Sequence, residues 1–181
     1  MMKLPAGKTQ HIDFAAIWRE YYPKLLFFVS SFFHCAQDRE DAVQEIFARA
    51  LKALTRYDPN YSISTWIYTI ARNYCLNCIK QKQYRQQLKQ DCIAQYGEQD
   101  SVFDPEELFI NIEQQDKVRD LIRQLDETDQ QLCYLYHYED LCYQEISRIL
   151  EMPVGTLKYR MHRIRNKIKK GMEAYNAGKT S

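Results

Sequence analysis

The sequence predicts an all-α protein made of two helical domains. Glycine and proline are scarce, at 5 each in 181 residues, and so few turn-forming and helix-breaking residues favour long helices over a many-stranded sheet. Apolar side chains recur at three- and four-residue spacing in both halves, which is the period of an amphipathic helix. An acidic, polar stretch without this period separates the halves, as is typical of a linker. We therefore expect domains at 1–90 and 114–181, joined by an acidic linker at 91–113.

The first domain is predicted to contain three or four helices. Asp13 is placed to cap a helix that begins at Phe14, because its carboxylate can accept hydrogen bonds from the free N–H groups of the first turn. Pro23 predicts a break near Tyr22, since proline lacks a backbone N–H and its ring clashes with the preceding turn. A second apolar run then continues to Phe33.

The next helix is expected at about 39–54, with an apolar and a polar side. Its apolar positions recur at three and four, while acidic and amide side chains lie largely on the other side. The turn signal Asp58-Pro59-Asn60 separates it from a long helix that Ser64 would cap. The expected buried stripe consists of Val43, Ile46, Phe47, Ala50, Leu51 and Leu54.

The second domain is also predicted to be helical. Asp104 and Pro105 form a helix start signal, with a capping side chain followed by proline at the first helical position. Thr128 and Gln131 have capping-box spacing in front of an apolar helix.

A helix-turn-helix is predicted within this domain. Residues 143–150 form a short amphipathic helix that Pro153 ends. A second helix is expected from residue 154 or 155 to about residue 172. Its core face consists of Leu157, Met161, Ile164 and Ile168, spaced by four, three and four.

Charge is distributed unevenly along the chain, although the net charge is only +1. Residues 51–90 and 151–170 each carry seven basic side chains and one acidic one, whereas 91–116 carry eight acidic and no basic ones. Basic blocks attract phosphate through Coulomb force and counterion release, and a helix about 10–12 Å across fits the major groove of DNA. The outward face of the last helix carries Thr156, Tyr159, His162, Arg163 and Asn166, flanked by Lys158 and Arg160.

Several other functions are disfavoured by the sequence. The six cysteines lack the spacing of a disulfide framework, and the C-x-x-C pair of Cys75 and Cys78 has no second pair at zinc-site spacing. There is no phosphate-binding glycine loop and no apolar run of eighteen residues. We therefore expect no metal, no cofactor, no catalytic site and no membrane insertion, and a cytoplasmic protein.

Two motifs then identify a family. The segment D-R-E-D-A-V-Q-E-I-F-A-R-A-L (38–51) and the segment S-T-W-I-Y-T-I-A-R-N (64–73) resemble region two of extracytoplasmic-function sigma factors of bacterial RNA polymerase. The segment Y-Q-E-I-S-R-I-L-E-M-P-V-G-T-L-K-Y-R-M-H-R-I-R-N-K-I (143–168) resembles region four. The resemblance covers most of residues 12–172 and joins two independent motifs in the expected order around a linker.

The resemblance assigns roles to the first domain. Its second helix would dock on the clamp helices of the largest polymerase subunit through Glu40, Asp41, Gln44, Glu45 and Phe47. A loop would capture an unstacked base of the −10 element, and the following helix would lie near the melted strand and its phosphates. The residues assigned to these DNA contacts are Tyr57, Asn60, Tyr61, Ser62, Arg72, Asn73, Lys80, Lys82 and Arg85.

The resemblance also assigns the −35 element to the helix that starts at Gly155, while the second domain would contact the polymerase flap. An anti-sigma factor is a further partner that the family implies. Ile63 departs from the aromatic residue, and Tyr159 from the small residue, that many relatives have there. The residues assigned to −35 recognition are Thr156, Lys158, Tyr159, Arg160, His162 and Arg163.

Three alternatives remain open at this point. A conventional helix-turn-helix regulator would use residues 1–90 as a sensor or dimerisation domain, but their basic block and acidic-faced helix argue against this function. An enzyme acting on nucleic acid would need acids clustered around a metal, whereas Asp38, Glu40, Asp41 and Glu45 fit an exposed docking surface. A helical adaptor would show no dependence on DNA.

Overall fold

A computed structural model describes residues 13–90 and 113–179. These residues fall into two compact units, one in each half of the chain. Both units are helical and contain no strand within the described ranges, so the all-α prediction is confirmed. Nearly all of the predicted linker, 91–113, and the helix start signal at Asp104 lie outside the described residues, and the domain boundaries stay a prediction.

Within residues 13–90, the described part of the first unit, the chain forms three helices and a short 3-10 turn. Helix α1 spans Phe14–Val29, α2 spans Ala36–Ala53 and continues into the 3-10 turn Leu54–Arg56, and α3 spans Ile63–Gln90. Each helix packs against the other two. The fully buried side chains that hold them together include Leu25, Phe28, Val43, Ile46, Ile67 and Tyr68.

The start of α1 is confirmed, but its predicted break is wrong. The Asp13 carboxylate accepts hydrogen bonds from the backbone N–H groups of Ala15 and Ala16, at 3.0 and 3.2 Å. The helix then runs through Pro23 without interruption. Tyr21 and Leu25 are buried on either side of that proline, so packing of both turns offsets the one backbone hydrogen bond that proline removes.

The cap of α3 is also not the predicted one. The Ser62 hydroxyl accepts a hydrogen bond from the backbone N–H of Thr65 at 3.2 Å, and α3 begins at the next residue. The Ser64 hydroxyl instead lies 2.7 Å from the Tyr21 hydroxyl of α1. Ser64 therefore ties two helices together and does not cap one.

The described residues of the second unit, 113–179, form four helices. Helix α4 spans Glu113–Arg123, α5 spans Glu127–His137, α6 spans Tyr143–Leu150 and α7 spans Val154–Lys179. The helix-turn-helix formed by α6 and α7 is confirmed, and α7 extends beyond the predicted end near residue 172. The core between α5, α6 and α7 contains Leu132, Leu135, Ile146, Ile149, Leu150, Leu157, Met161 and Ile164.

The predicted capping box of α5 is wrong by two residues. The N-cap is Asp126, whose carboxylate accepts a hydrogen bond from the backbone N–H of Asp129 at 2.9 Å. Gln131 is buried in the core. Asp126, Thr128 and Asp129 are all cap-forming residue types, and the sequence alone does not rank them.

Two glycines of α7 provide a matched test of packing in the second unit. A Cβ on Gly171 would lie 2.5 Å from Leu121 Cδ2 of α4, whereas a Cβ on Gly155 would meet nothing within 4 Å. Gly171→Val should therefore lower the free energy of unfolding of this unit by about 1–3 kcal/mol through overpacking. Gly155→Ala should be neutral or stabilising because alanine favours helix.

Urea unfolding of the full chain distinguishes the units, because both tryptophans, Trp18 and Trp66, lie in the first unit. Gly171→Val should shift the part of the far-UV circular dichroism transition that comes from the second unit and leave the tryptophan fluorescence transition in place. Equal shifts of both transitions, or none, would contradict the assigned α4–α7 contact.

Candidate nucleic-acid interface

The exposed face of α7 is fixed by the burial of its opposite face. Leu157, Met161 and Ile164 are at most 2% exposed. The side chains of Thr156, Lys158, Tyr159, His162 and Arg163 are exposed, as the helical period predicts, and Tyr159 is 63% exposed. The outward face thus combines one aromatic ring, one imidazole and one guanidinium.

One flank of α7 is bound to the turn between α4 and α5. Arg160 Nε donates to Asp129 Oδ1 at 2.6 Å and its Nη2 donates to Asp126 Oδ1 at 2.6 Å. Farther along, Lys167 Nζ donates to the Gln124 carbonyl at 3.0 Å. Charge-assisted hydrogen bonds of this length are strong, so Arg160 is bound to carboxylates of its own unit, and its assignment to −35 recognition stays a prediction.

The two carboxylates that share Arg160 respond differently to their surroundings. Burial raises the pKa of Asp126, but the Asp129 backbone N–H and the Arg160 guanidinium outweigh it and hold this pKa below its ordinary value. Asp129 is 8% exposed, and burial raises its pKa in spite of the hydrogen bond from Arg160. Asp129 therefore depends on Arg160 to keep a charge inside the fold.

The loop between α2 and α3 is held by contacts among its own residues. The Tyr57 hydroxyl donates to the Tyr61 carbonyl at 2.6 Å, and the Asn60 N–H donates to Asp58 Oδ1 at 2.9 Å. The Tyr57 ring meets the Trp66 ring edge to face at 5.2 Å. Asn60 and Tyr61 remain exposed, so a braced loop presents one amide and one aromatic ring to solvent.

The remaining first-unit residues assigned to DNA lie on α3 or at its cap. Ser62 is used in capping α3 and has its hydroxyl 2.9 Å from the Thr65 hydroxyl, while Arg72 is half-buried and Asn73 is exposed. Lys80 follows Asn73 by seven residues, close to two full turns, and shares its side of the helix. Lys82 is also exposed, but it lies half a turn around α3 from Asn73 and Lys80. The side chain of Arg85 lies outside the described residues.

Lys80 also borders a groove between α2 and α3. The groove has a volume of about 500 Å³ and is lined by both helices, with Glu45 and Arg49 on α2 and Tyr74 and Lys80 on α3. The Glu45 carboxylate lies 2.8 Å from Arg49 Nε, and the Arg49 guanidinium lies over the Tyr74 ring at 4.8 Å. A residue assigned to DNA and one assigned to the polymerase therefore border the same groove.

The polar side of α2 is exposed, but its apolar residues are arranged differently from the prediction. Glu40, Asp41 and Gln44 are exposed and Glu45 is partly exposed. Phe47 is 1% exposed and lies beneath Trp18, with ring centroids 4.2 Å apart. A ring from another helix thus covers the Phe47 side chain, whose assignment to polymerase contact stays a prediction.

Leu51, predicted to be buried, is instead 54% exposed, and Trp18 is 38% exposed. These two exposed side chains border the polar side of α2. The sequence of α2 alone does not predict Trp18 as part of this surface, because Trp18 lies on α1. The signal was present in α1, where Trp18 and Tyr22 are one turn apart and stack at 5.5 Å.

The described residues contain no cluster of three or more histidine, cysteine or acidic side chains that could hold a metal. Cys75 and Cys78 are free thiols, and burial raises the pKa of Cys75 well above its usual range. Burial likewise raises the pKa of Cys133 to about 12, so both buried groups are protonated at neutral pH. Across the same residues, no helix is both long and apolar enough for a membrane span.

Comparison with known proteins covers both units. Residues 17–85 match Sigma-70 region 2, and residues 115–168 match Sigma-70, region 4. The chain is 31% identical over 140 residues to the ECF RNA polymerase sigma factor SigW of Bacillus subtilis, covering 74% of each chain. It is 29% identical over 161 residues to the RNA polymerase sigma-H factor of Pseudomonas aeruginosa, covering 85% of this chain and 83% of that one.

Solved structures show the same fold. The sigma factor RpoE, in a co-crystal structure with the anti-sigma factor NepR from Bartonella quintana, matches with a TM-score of 0.68 and 20% identity, over 89% of this chain and 97% of that one. CnrH, in complex with the cytosolic domain of CnrY, matches with a TM-score of 0.59 and 17% identity, over 92% and 91%. Matched in both regions and along most of its length, the chain belongs to the extracytoplasmic-function sigma factors of RNA polymerase.

Proposed function

We propose that this sigma factor reads the −35 element with the exposed face of α7 and captures an unpaired −10 base with the loop at 57–62. Sigma factors direct RNA polymerase to promoters and catalyse no reaction themselves, so the chain must act by binding energy alone. Binding energy for unpaired bases can offset the stacking that is lost when DNA opens.

The orientation of α7 is the observation that carries the −35 proposal. Its buried stripe leaves Tyr159, His162 and Arg163 directed away from the core, where an α-helix lying in the major groove meets base edges. Arg163 is the side chain suited to guanine, because its guanidinium can donate to O6 and N7 together. Tyr159 presents apolar ring carbon at the position where many relatives have a small residue, which suits contact with a thymine methyl group.

The braced loop supports the −10 proposal. Its backbone is held by Tyr57, Asp58 and Trp66, so little conformational entropy is lost when a base enters. The exposed Asn60 amide can hydrogen-bond a base edge, and the exposed Tyr61 ring can stack on its face. Asn73 and Lys80 lie on one side of α3 and extend this surface toward the backbone of the same strand.

The polar side of α2 is the proposed docking surface for the polymerase clamp helices. Glu40, Asp41 and Gln44 form a negative and hydrogen-bonding face that fits a positively charged partner surface. Trp18 and Leu51 replace Phe47 as its apolar border, because their exposed carbon can be desolvated on binding. We assign contact with the flap to the second unit, as in the family.

An anti-sigma factor is a further proposed partner. The sigma factor RpoE above is in complex with the anti-sigma factor NepR, and CnrH is in complex with the cytosolic domain of CnrY, which supports an anti-sigma partner for this chain as well. Because RNA polymerase acts in the cytoplasm, we expect the protein there. A conventional regulator with a sensor domain is not favoured, since residues 17–85 match Sigma-70 region 2.

The −35 proposal predicts different effects for two cations of α7. Arg163→Ala should lower run-off transcription chiefly on promoters with the native −35 element, with discrimination against a wrong base falling by about 1–3 kcal/mol. Lys169 lies about four turns after the start of α7, and its Nζ is 3.9 Å from Glu173 Oε1. Lys169→Ala should lower activity evenly across −35 variants and flatten the log–log salt slope by at most about 0.9.

A panel of single-base −35 variants, transcribed at several salt concentrations with core polymerase, measures both effects. Leu157→Asp is the folding control, because a buried charge in the core face unfolds the unit. If both alanine variants lower every promoter equally, base reading does not reside at Arg163.

The docking proposal predicts the effect of charge reversal on α2. Asp41→Lys combined with Glu40→Lys should weaken binding of core polymerase by at least about tenfold, since like charges placed across an interface cost several kcal/mol. Competition between the variant and the unaltered chain for core polymerase measures this. Helix content should stay unchanged because both side chains are exposed.

Glu20→Lys is the matched control for this charge reversal. Glu20 is an exposed acid of α1 that pairs with Lys24 at 3.5 Å, and it lies 200° around the helix from Trp18. Its reversal should leave polymerase affinity within about twofold. Because Glu20→Lys reverses one charge and the docking variant reverses two, a control that loses half of the docking variant's binding free energy would show that net charge, and not this face, controls binding.

A further inference from the structure

On the flank of α7 opposite Arg160, two cations lie on a pair of tyrosine rings. Lys158 Nζ is 5.9 Å from the centre of the Tyr143 ring, and Arg165 Cζ is 5.7 Å from the centre of the Tyr136 ring. The two rings belong to α6 and α5 and lie 5.0 Å apart, tilted by 32°. The four side chains therefore form a continuous row, with a cation at each end.

These contacts differ in kind from those on the other flank. Arg160 and Lys167 donate hydrogen bonds to carboxylate and carbonyl oxygens in the α4–α5 turn and the first turn of α5. These N–H donors are therefore already used and are not available to a phosphate. A tyrosine face attracts a cation through its quadrupole and accepts no conventional hydrogen bond. Lys158 and Arg165 are exposed, so they can keep this support and still donate to a phosphate.

The tyrosines also restrict where these cations can go. A free lysine or arginine side chain samples many rotamers, and ordering it on binding costs entropy. Lys158 and Arg165 are seven residues apart, close to two helical turns, and therefore lie on the same side of α7, about 10.5 Å apart along its axis.

We propose that Tyr136 and Tyr143 are positioning residues that hold Lys158 and Arg165 in place for phosphates of one DNA strand beside the α7 helix. The proposal rests on the proposed function of α7 in −35 recognition. Tyr143 is the first residue of α6, and the first helix of a helix-turn-helix crosses the DNA backbone. The row therefore lies on the side of α7 where that helix meets phosphate.

The test uses the full chain assembled with core polymerase and a duplex carrying the −35 element. Tyr143→Leu removes the ring under Lys158 and should weaken DNA binding by about two- to fivefold, the range expected for an exposed cation–π contact. Tyr143→Phe keeps the ring and should stay within about twofold of the unaltered chain. Both effects should be equal across −35 base variants, because a phosphate contact carries no sequence information.

A double-mutant cycle separates positioning from a general loss of structure. Lys158→Ala should weaken binding and flatten the salt slope by about 0.9. Tyr143→Leu should have little further effect in that background, since the cation that it positions is gone. Tyr136→Leu and Arg165→Ala form the second cycle, with the same expected pattern.

Tyr138→Leu is the matched control. Tyr138 directly follows the end of α5, two positions after Tyr136, but its ring stacks on Tyr134 at 5.7 Å, so its removal should leave the salt slope unchanged. The proposal is overturned if Tyr143→Leu binds as tightly as the unaltered chain, or if it weakens binding equally in the Lys158→Ala background. Failure of the −35 proposal is a different result, in which Arg163→Ala and Lys158→Ala both bind the duplex normally.

Discussion

Burial of one stripe of α7 is the constraint on which the rest of the second unit depends. Leu157, Met161 and Ile164 pack against α5 and α6 with almost no exposure, and dense packing does not allow the helix to rotate about its axis. A rotation of one residue would move each side chain by 100° and put a charge into the core. The stripe that stabilises the unit therefore also determines which side chains can reach DNA.

Once this rotation is fixed, the cations of α7 fall into two groups. Some, such as Arg160, are bound by other residues of the unit, and others, such as Arg163, are exposed. Counting charge along the sequence treats them as one basic block, but Arg160 is held by carboxylates 31 and 34 residues away in the chain. No local pattern indicates such a partner, because Asp126 and Asp129 already have a local explanation at the start of α5. The sequence thus predicts which face is basic, whereas only the tertiary contacts separate a structural arginine from one available to DNA.

Features that depend on neighbours within a few residues were predictable, and features that depend on another helix were not. The Asp13 cap and the bounds of α6 follow from local hydrogen bonding and helical period. Pro23 was misjudged because packing of its flanking turns, a tertiary effect, outweighs one lost hydrogen bond. Phe47 and Leu51 share the stripe of α2, and periodicity cannot tell which of them Trp18 of α1 covers.

The two proposed DNA surfaces are each small, and this has a consequence for how the protein achieves selectivity. A loop that holds one base and a helix that reads a few base edges would each bind weakly alone. When both are held on one polymerase, the second contact becomes intramolecular, and its effective concentration multiplies the affinity of the first. Local rigidity then matters more than contact area, because every rotamer ordered on binding reduces the gain. The bracing of Tyr57 against Trp66 and the support of Lys158 by Tyr143 follow the same physical logic, since each orders a side chain or loop that we propose contacts DNA, before the promoter is bound.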